Sequence, residues 1–165
     1  RPAVFLDRDG VINHDYGYVH TLKKFKFKNG VIQGLKYLTK NNYYIFIVTN
    51  QAGIGKKLYS LEKFIKLHTE LKDILIKEKI YINDVKYSPY HIDAKIKKFK
   101  KRSGFRKPGN LMIKEIFKNW DISIDKSFMI GDKISDKICA LKSGLNFEFA
   151  KGNFYYQTRS LVKKS

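Results

Sequence analysis

The stretch that decides the fold is Ala3-Val4-Phe5-Leu6-Asp7-Arg8-Asp9-Gly10. An unbroken apolar run ends abruptly in charge, which is how a strand buried on both faces reads when its carboxyl end carries chemistry. Working outward, the same unit recurs. Val31, Ile32, Leu35 and Leu38 stand at helical spacing behind Asn29-Gly30. Tyr44 to Val48 is a second apolar run, and it too ends in polar residues, Thr49-Asn50-Gln51. Leu61, Phe64, Ile65, His68, Leu71 and Leu75 mark one face of a long helix starting near Ser60. Val85 to Ser88 reads as a third strand, and Pro108 is predicted to open a helix carrying Leu111, Met112, Glu115 and Ile116. Phe128 to Ile130 runs into Gly131-Asp132, a helix follows from about Ser135 until Gly144, and Leu145 to Ala150 is the last strand. This alternation predicts an α/β fold with a Rossmann-like parallel sheet flanked by helices, one domain over residues 1–165. Tyr90 to Lys107 shows no period and reads as a loop insertion at about 89–107.

Composition narrows the class of function. With 43% apolar and 15% aromatic residues, the chain can bury a real core. No apolar run approaches the roughly 20 residues of a membrane helix, so no membrane partner is expected. The one cysteine, Cys139, can form neither an internal disulfide nor a Cys-x-x-Cys metal site, which fits a reducing, cytoplasmic setting. A net charge of +19 invites a nucleic-acid reading. Of the 34 basic residues, however, 29 are Lys and 5 are Arg, spread along the chain. Arg is favoured for bidentate recognition, so this excess points to attraction for small polyanions and not to nucleic acid as partner.

In open α/β sheets ligands bind beyond the carboxyl ends of the strands, so residues distant in sequence converge there. Asp7 and Asp9, two apart, project to one side while strand geometry persists. Paired carboxylates can divide labour, one attacking phosphorus while the other moves protons. Facing a phosphate they need a cation. Asp132 supplies a third carboxylate, and a set of few carboxylates suits Mg²⁺. Thr49 can donate its hydroxyl to a phosphoryl oxygen, with the backbone N–H groups of Asn50 and Gln51 nearby and Ala52-Gly53-Ile54-Gly55 permitting close approach. Lys107, beside Pro108 at a predicted helix start, offers a fixed positive charge.

Asp7-Arg8-Asp9-Gly10-Val11, Thr49, Lys107 and Gly131-Asp132 with Ser135-Asp136 together resemble the four motifs of the haloacid dehalogenase (HAD) superfamily. Asp15-Tyr16-Gly17-Tyr18-Val19, Thr49-Asn50-Gln51-Ala52, Arg106-Lys107-Pro108 and Gly131-Asp132-Lys133 are similar to its capless heptose 1,7-bisphosphate and histidinol-phosphate phosphatases. The resemblance implies a Mg²⁺-dependent phosphatase acting on a small phosphorylated sugar in nucleotide-heptose synthesis, with Asp7 as nucleophile and Asp9 as acid and base. It implies Thr49 and Lys107 as phosphoryl stabilisers, and Asp7, the Asp9 carbonyl and Asp132 as metal ligands. By the same resemblance Asp15, Tyr16, Gly17 and Tyr18 form a substrate loop, Thr49 to Ala52 cradle phosphate, Arg106 reads the distal part of the substrate, and Lys133 sits by the metal. A monomer is the expectation. Two other readings stand beside it: a histidinol-phosphate phosphatase, and an inactive basic scaffold that binds nucleic acid. Relatives commonly hold the 89–107 loop with zinc, but the corresponding positions here are Ser88, Tyr90, Ser103 and Phe105. No structural zinc is expected, since zinc wants thiolate or imidazole. The loop is then held by packing of Phe99 and Phe105, or is mobile. The run Lys95 to Arg102 either is solvated or leans towards a second phosphate.

Overall fold

A computed structural model describes residues 1–164; Ser165, the last residue of the predicted domain, lies outside the described residues. Its elements run β1 (Ala3–Leu6), α1 (Val31–Lys40), β2 (Tyr44–Asn50), α2 (Ala52–Gly55), α3 (Leu61–Lys77), β3 (Asp84–Ser88), α4 (Leu111–Asn119), β4 (Phe128–Gly131), α5 (Ile134–Lys142), β5 (Asn146–Phe149) and α6 (Phe154–Lys164). The strands form one parallel sheet in the order β3-β2-β1-β4-β5. β1 is therefore central, and all four of its residues are fully buried.

Alternation along the strands divides the core in two. Val4 and Leu6 of β1, with Ile45 and Ile47 of β2, pack against Leu35 of α1, Leu71 of α3 and Phe154 of α6. Ala3, Phe5, Phe46 and Val48 point the other way, onto Met112, Ile113 and Ile116 of α4 and Cys139 and Ala140 of α5. Cys139 is thus core filling. The Ser60 side chain accepts a hydrogen bond from Lys63 N (3.2 Å) and caps α3 where the sequence starts it. Among the described residues no helix is long and apolar enough to cross a membrane.

One expectation is corrected. Pro108 does not open a helix: the chain first turns, with Gly109 N–H donating to Arg106 O (2.8 Å) and Leu111 N–H to Gly104 O (3.1 Å), and α4 begins at Leu111. After Ala150 the chain continues into α6, which packs against α1, where Phe154 lies so close to Gly34 that an added Cβ would meet it at 2.3 Å.

The 89–107 loop is fastened to α2. Lys95 and Ile96 donate their N–H groups to Gly55 O (2.8 and 3.0 Å), and His91 N–H bonds Phe99 O (3.0 Å). Tyr90 packs edge-on against Phe99 (5.5 Å) and lies 6.4 Å from Phe105, so packing of Phe99 and Phe105 holds the loop. The lysines of the 95–102 run are exposed, as a solvated run would be.

Candidate active site

Asp7 N–H donates to Ile130 O (3.1 Å), continuing the β1–β4 ladder, and the chain then leaves the strand. Arg8 O accepts from Val11, Ile12 and Asn13 N–H, closing a tight turn. Gly10 within it has φ +88°, and a Cβ there would sit 2.1 Å from Asp132 Oδ2. Only glycine meets both demands. Because the backbone is no longer extended, the two carboxylates reach different partners. Asp7 Oδ1 accepts from Lys107 Nζ (2.9 Å) and Arg8 N–H (2.8 Å). Asp9 accepts from Arg8, from Asn13 Nδ2 (2.9 Å) and from Gln51 Nε2 (3.1 Å).

Lys107 is 3% exposed. Its ammonium donates to Asp7 Oδ1, Val48 O (2.8 Å) and Asp136 Oδ1 (2.6 Å), three acceptors for three protons. Burial opposes its charge, but Asp7 and Asp136 hold its pKa above the ordinary lysine value. Asn50 fixes its backbone from both sides: Oδ1 accepts from Lys107 N–H (3.0 Å) and Nδ2 donates to Lys107 O (3.1 Å). The Asn50 side chain is therefore spent on Lys107.

Asp7, Asp132 and Asp136 bring one carboxylate oxygen each within 4.8 Å of one another, a group that can hold a metal ion. Asp136 has little left to give, since Oδ2 accepts from Asp132 N–H and Lys133 N–H (both 3.1 Å). Asp132 Oδ1, by contrast, is a buried oxygen without a hydrogen-bond partner. Burial pushes the Asp7 carboxyl up to about 7 against the pull of Lys107, with Asp136 adding to the rise. An orphaned carboxylate oxygen beside a second carboxylate with a raised pKa fits a divalent cation, which would favour ionisation of both. The Asp9 side chain is outside this group; its predicted role as ligand concerns its carbonyl. The four zinc-equivalent positions do not fit that metal, since they offer two serine hydroxyls, a tyrosine phenol and a phenyl ring, with neither thiolate nor imidazole.

Thr49 is fully buried, its Oγ1 accepting from Gln51 Nε2 (2.9 Å). Gln51 N–H donates to Ser88 O (2.7 Å), so it is not the phosphate donor the sequence reading made it. Ala52 opens α2 next to it. In the substrate loop, Asp15 Oδ1 accepts from Gly17 N–H (3.0 Å) and Oδ2 lies 4.0 Å from the exposed Lys133 ammonium. Tyr16 is exposed against the His14 ring, and the Tyr18 hydroxyl accepts from Lys56 Nζ (3.2 Å). Arg106 is half-buried with Nη1 unpartnered, and burial lowers its pKa. With His91, Arg102, Lys107 and Gly109 it lines a cavity of about 350 Å³.

Sequence reasoning missed Arg8, Asn13 and Tyr59 as parts of the site. Tyr59 OH donates to Gln51 Oε1 and its ring stacks on His20 (4.8 Å), linking the substrate loop to the strand end. His68, read as structural, contacts Arg8 through Nε2 (3.1 Å), and burial together with Arg8 pushes its pKa down to about 3. Asp136 stood in the quoted motif; its signal was an acid in the first turn of a helix behind Gly-Asp.

A capless parallel sheet with carboxylates, lysine and threonine gathered at its carboxyl edge defines a haloacid dehalogenase-like phosphatase, a phosphoric monoester hydrolase. Residues 6–157 match the family model described as polynucleotide kinase 3 phosphatase, and the chain belongs to that family. It is 36% identical over 145 residues to D-glycero-beta-D-manno-heptose-1,7-bisphosphate 7-phosphatase of Rhodopseudomonas palustris, covering 88% of this chain and 81% of that one. To the enzyme of the same name from Photorhabdus laumondii it is 41% identical, covering 82% and 72%. A crystal structure of D,D-heptose 1,7-bisphosphate phosphatase from B. bronchiseptica, complexed with magnesium and phosphate, superposes with TM-score 0.88 at 18% identity, covering 100% of both chains.

Proposed function

We propose that the chain, as a monomer, removes the 7-phosphate of D-glycero-D-manno-heptose 1,7-bisphosphate in nucleotide-heptose synthesis, through an aspartyl-phosphate on Asp7. The observation that carries the chemistry is the buried Asp7 carboxylate at the end of the central strand, held by Lys107 beside the open oxygen of Asp132. The names of the relatives carry the substrate. Asp7 attacks phosphorus as the bond to the sugar oxygen breaks, and Asp9 gives that oxygen its proton. Asp9 then takes a proton from the water that attacks the phosphorus of the aspartyl-phosphate, which frees Asp7 and phosphate. Lys107 and the Thr49 hydroxyl bind phosphoryl oxygens. Asp15 to Tyr18 surround the sugar, Ala52 joins Thr49 in cradling the phosphate, Arg106 reads the distal part of the substrate, and Lys133 sits by the metal site.

Mg²⁺ is the cofactor we infer, held by Asp7, the Asp9 carbonyl and Asp132; it offsets the negative charge that nucleophile and phosphate share. Without it, an Asp7 pKa raised from 3.8 to about 7 means the folded state binds the proton more tightly than the unfolded one. Metal-free stability therefore falls as pH rises through that window, and protons compete with the metal below about pH 7. Thermal shift with MgCl₂ should accordingly be larger at about pH 8 than at about pH 5.5, on either side of the Asp7 value. An equal shift at both would remove Asp7 from the ligand set. Metal analysis of the same protein should return no stoichiometric zinc.

The substrate is tested by Mg²⁺-dependent phosphate release from both heptose bisphosphate anomers, histidinol phosphate and a 3′-phosphorylated oligonucleotide. The heptose esters should have the highest kcat/KM. Preference for histidinol phosphate or for the oligonucleotide would replace the substrate while retaining the chemistry.

A further inference from the structure

Arg8 is one of the largest fully buried side chains in the protein, at 1% exposure, yet it stands between the two active-site carboxylates in sequence. Its guanidinium lies between the rings of Phe25 and Phe64, 5.9 Å from each centroid. Nη1 meets His68 Nε2 at 3.1 Å; an arginine can only donate, so the imidazole accepts there. Nη2 meets three acceptors: Val19 O at 2.6 Å, and Asp9 Oδ1 and Oδ2 at 3.0 and 3.2 Å. With two protons on that nitrogen, one goes to Val19 and the other is shared by both oxygens of Asp9.

We propose that Arg8, braced by His68, is a positioning residue that aims the Asp9 carboxylate at the leaving-group oxygen and ties it to the end of the substrate loop at Val19. This rests on the reading of Asp9 as the proton donor. A carboxylate at a strand end has free rotation about two bonds. Here Asn13 holds Oδ1 and Gln51 holds Oδ2, and Arg8 spans both, so the plane of the group is set; when Asp9 carries its proton on Oδ2, the longer Arg8 contact there (3.2 Å) gives way and Arg8 and Asn13 keep Oδ1. Arg8 is itself immobile, because α3 presents His68 and Phe64 and the opposite wall presents Phe25. The contact to Val19 O ties the aim of the acid to the end of the substrate loop. Lysine could not replace arginine, since a single ammonium lacks the planar fork.

The test compares two esters of phosphoric acid by kcat/KM, which reports formation of the phosphoenzyme. Heptose 1,7-bisphosphate expels an alkoxide that needs a proton; p-nitrophenyl phosphate expels a phenolate that does not. Arg8→Lys should lower the sugar-ester value by about 10²-fold more than the aryl-ester value, the scale of a lost general acid. Should Arg8→Lys fail to fold, His68→Leu, which lies outside the reaction centre, decides the matter. It should lower the sugar-to-aryl ratio roughly tenfold, part of the same general-acid effect, and His68→Gln, which keeps an acceptor, should restore most of it. A purely structural role lowers both esters together and leaves the ratio unchanged, and that result would overturn the role of Arg8 while the substrate reading stands. Wild-type protein that cleaves the aryl ester alone would sink both, since no leaving group is then being protonated.

Discussion

Asp7→Asn protein is expected to fold normally and to release phosphate at least about 10⁴-fold more slowly than the wild type, on the scale of removing a nucleophile. The two halves of this result have one origin. The substituted amide keeps the shape of the carboxylate, so Arg8 N–H still has its acceptor and Lys107 keeps Asp136 and Val48 O. An amide oxygen does not displace a sugar oxygen from phosphorus. Stability should not suffer, because burial already makes the Asp7 charge costly in the metal-free protein. Melting curves in EDTA at about pH 8, where that charge is present, should therefore show a Tm equal to or above that of the wild type, while the phosphate assay shows no turnover above background.

Lys107→Met should fail on both counts. The side chains have similar length, but the ammonium is the only cation that the buried Asp7 and Asp136 carboxylates contact among the described residues. Breaking a buried ion pair by removing one partner costs about 3–5 kcal/mol. For a chain of this size that is a fall in Tm on the order of 10 °C, readable by calorimetry. Loss of a positive charge from the phosphoryl oxygens should remove a further 10²- to 10³-fold of kcat, roughly what one transition-state donor supplies. Activity falling without stability at Asp7, and with it at Lys107, separates the group that reacts from the group that holds it.

The sheet was legible because parallel strands buried on both faces are written as continuous apolar runs. Ala3–Leu6 and Phe128–Ile130 stand nearly residue for residue where the runs lie. Convergence of Asp7, Thr49, Lys107 and Asp132 followed from strand-end logic. What escaped notice did so for physical reasons. α6 sets buried Gln157 and Thr158 between Phe154 and the partly buried Leu161 and Val162, so polar residues interrupt the apolar stripe of its inner face. The start of α4 was misjudged because Pro108 fits the first turn of a helix as well as it fits the tight turn it occupies. Arg8 was invisible as a structural centre because a lone arginine reads as solvated. Its burial depends on His68, 60 positions away, whose place in an amphipathic stripe looks like packing.

The same separation marks the site. Side chains that point at one another across strand ends, such as Asn50 clasping Lys107, form contacts that a linear reading does not show. Asp136 is another such case: it accepts two backbone N–H groups and the Lys107 ammonium, and so props up the loop that carries Asp132.

Phosphate is held to pass through the carboxylate of Asp7, and on that step everything else depends. Acid quench of the enzyme during turnover, borohydride reduction and peptide mass spectrometry test it directly, since hydride converts an aspartyl-phosphate to homoserine. Homoserine in place of Asp7, dependent on Mg²⁺ and substrate, is the expected result. Reduction found at Asp9, or at no residue while phosphate is being released, would contradict it.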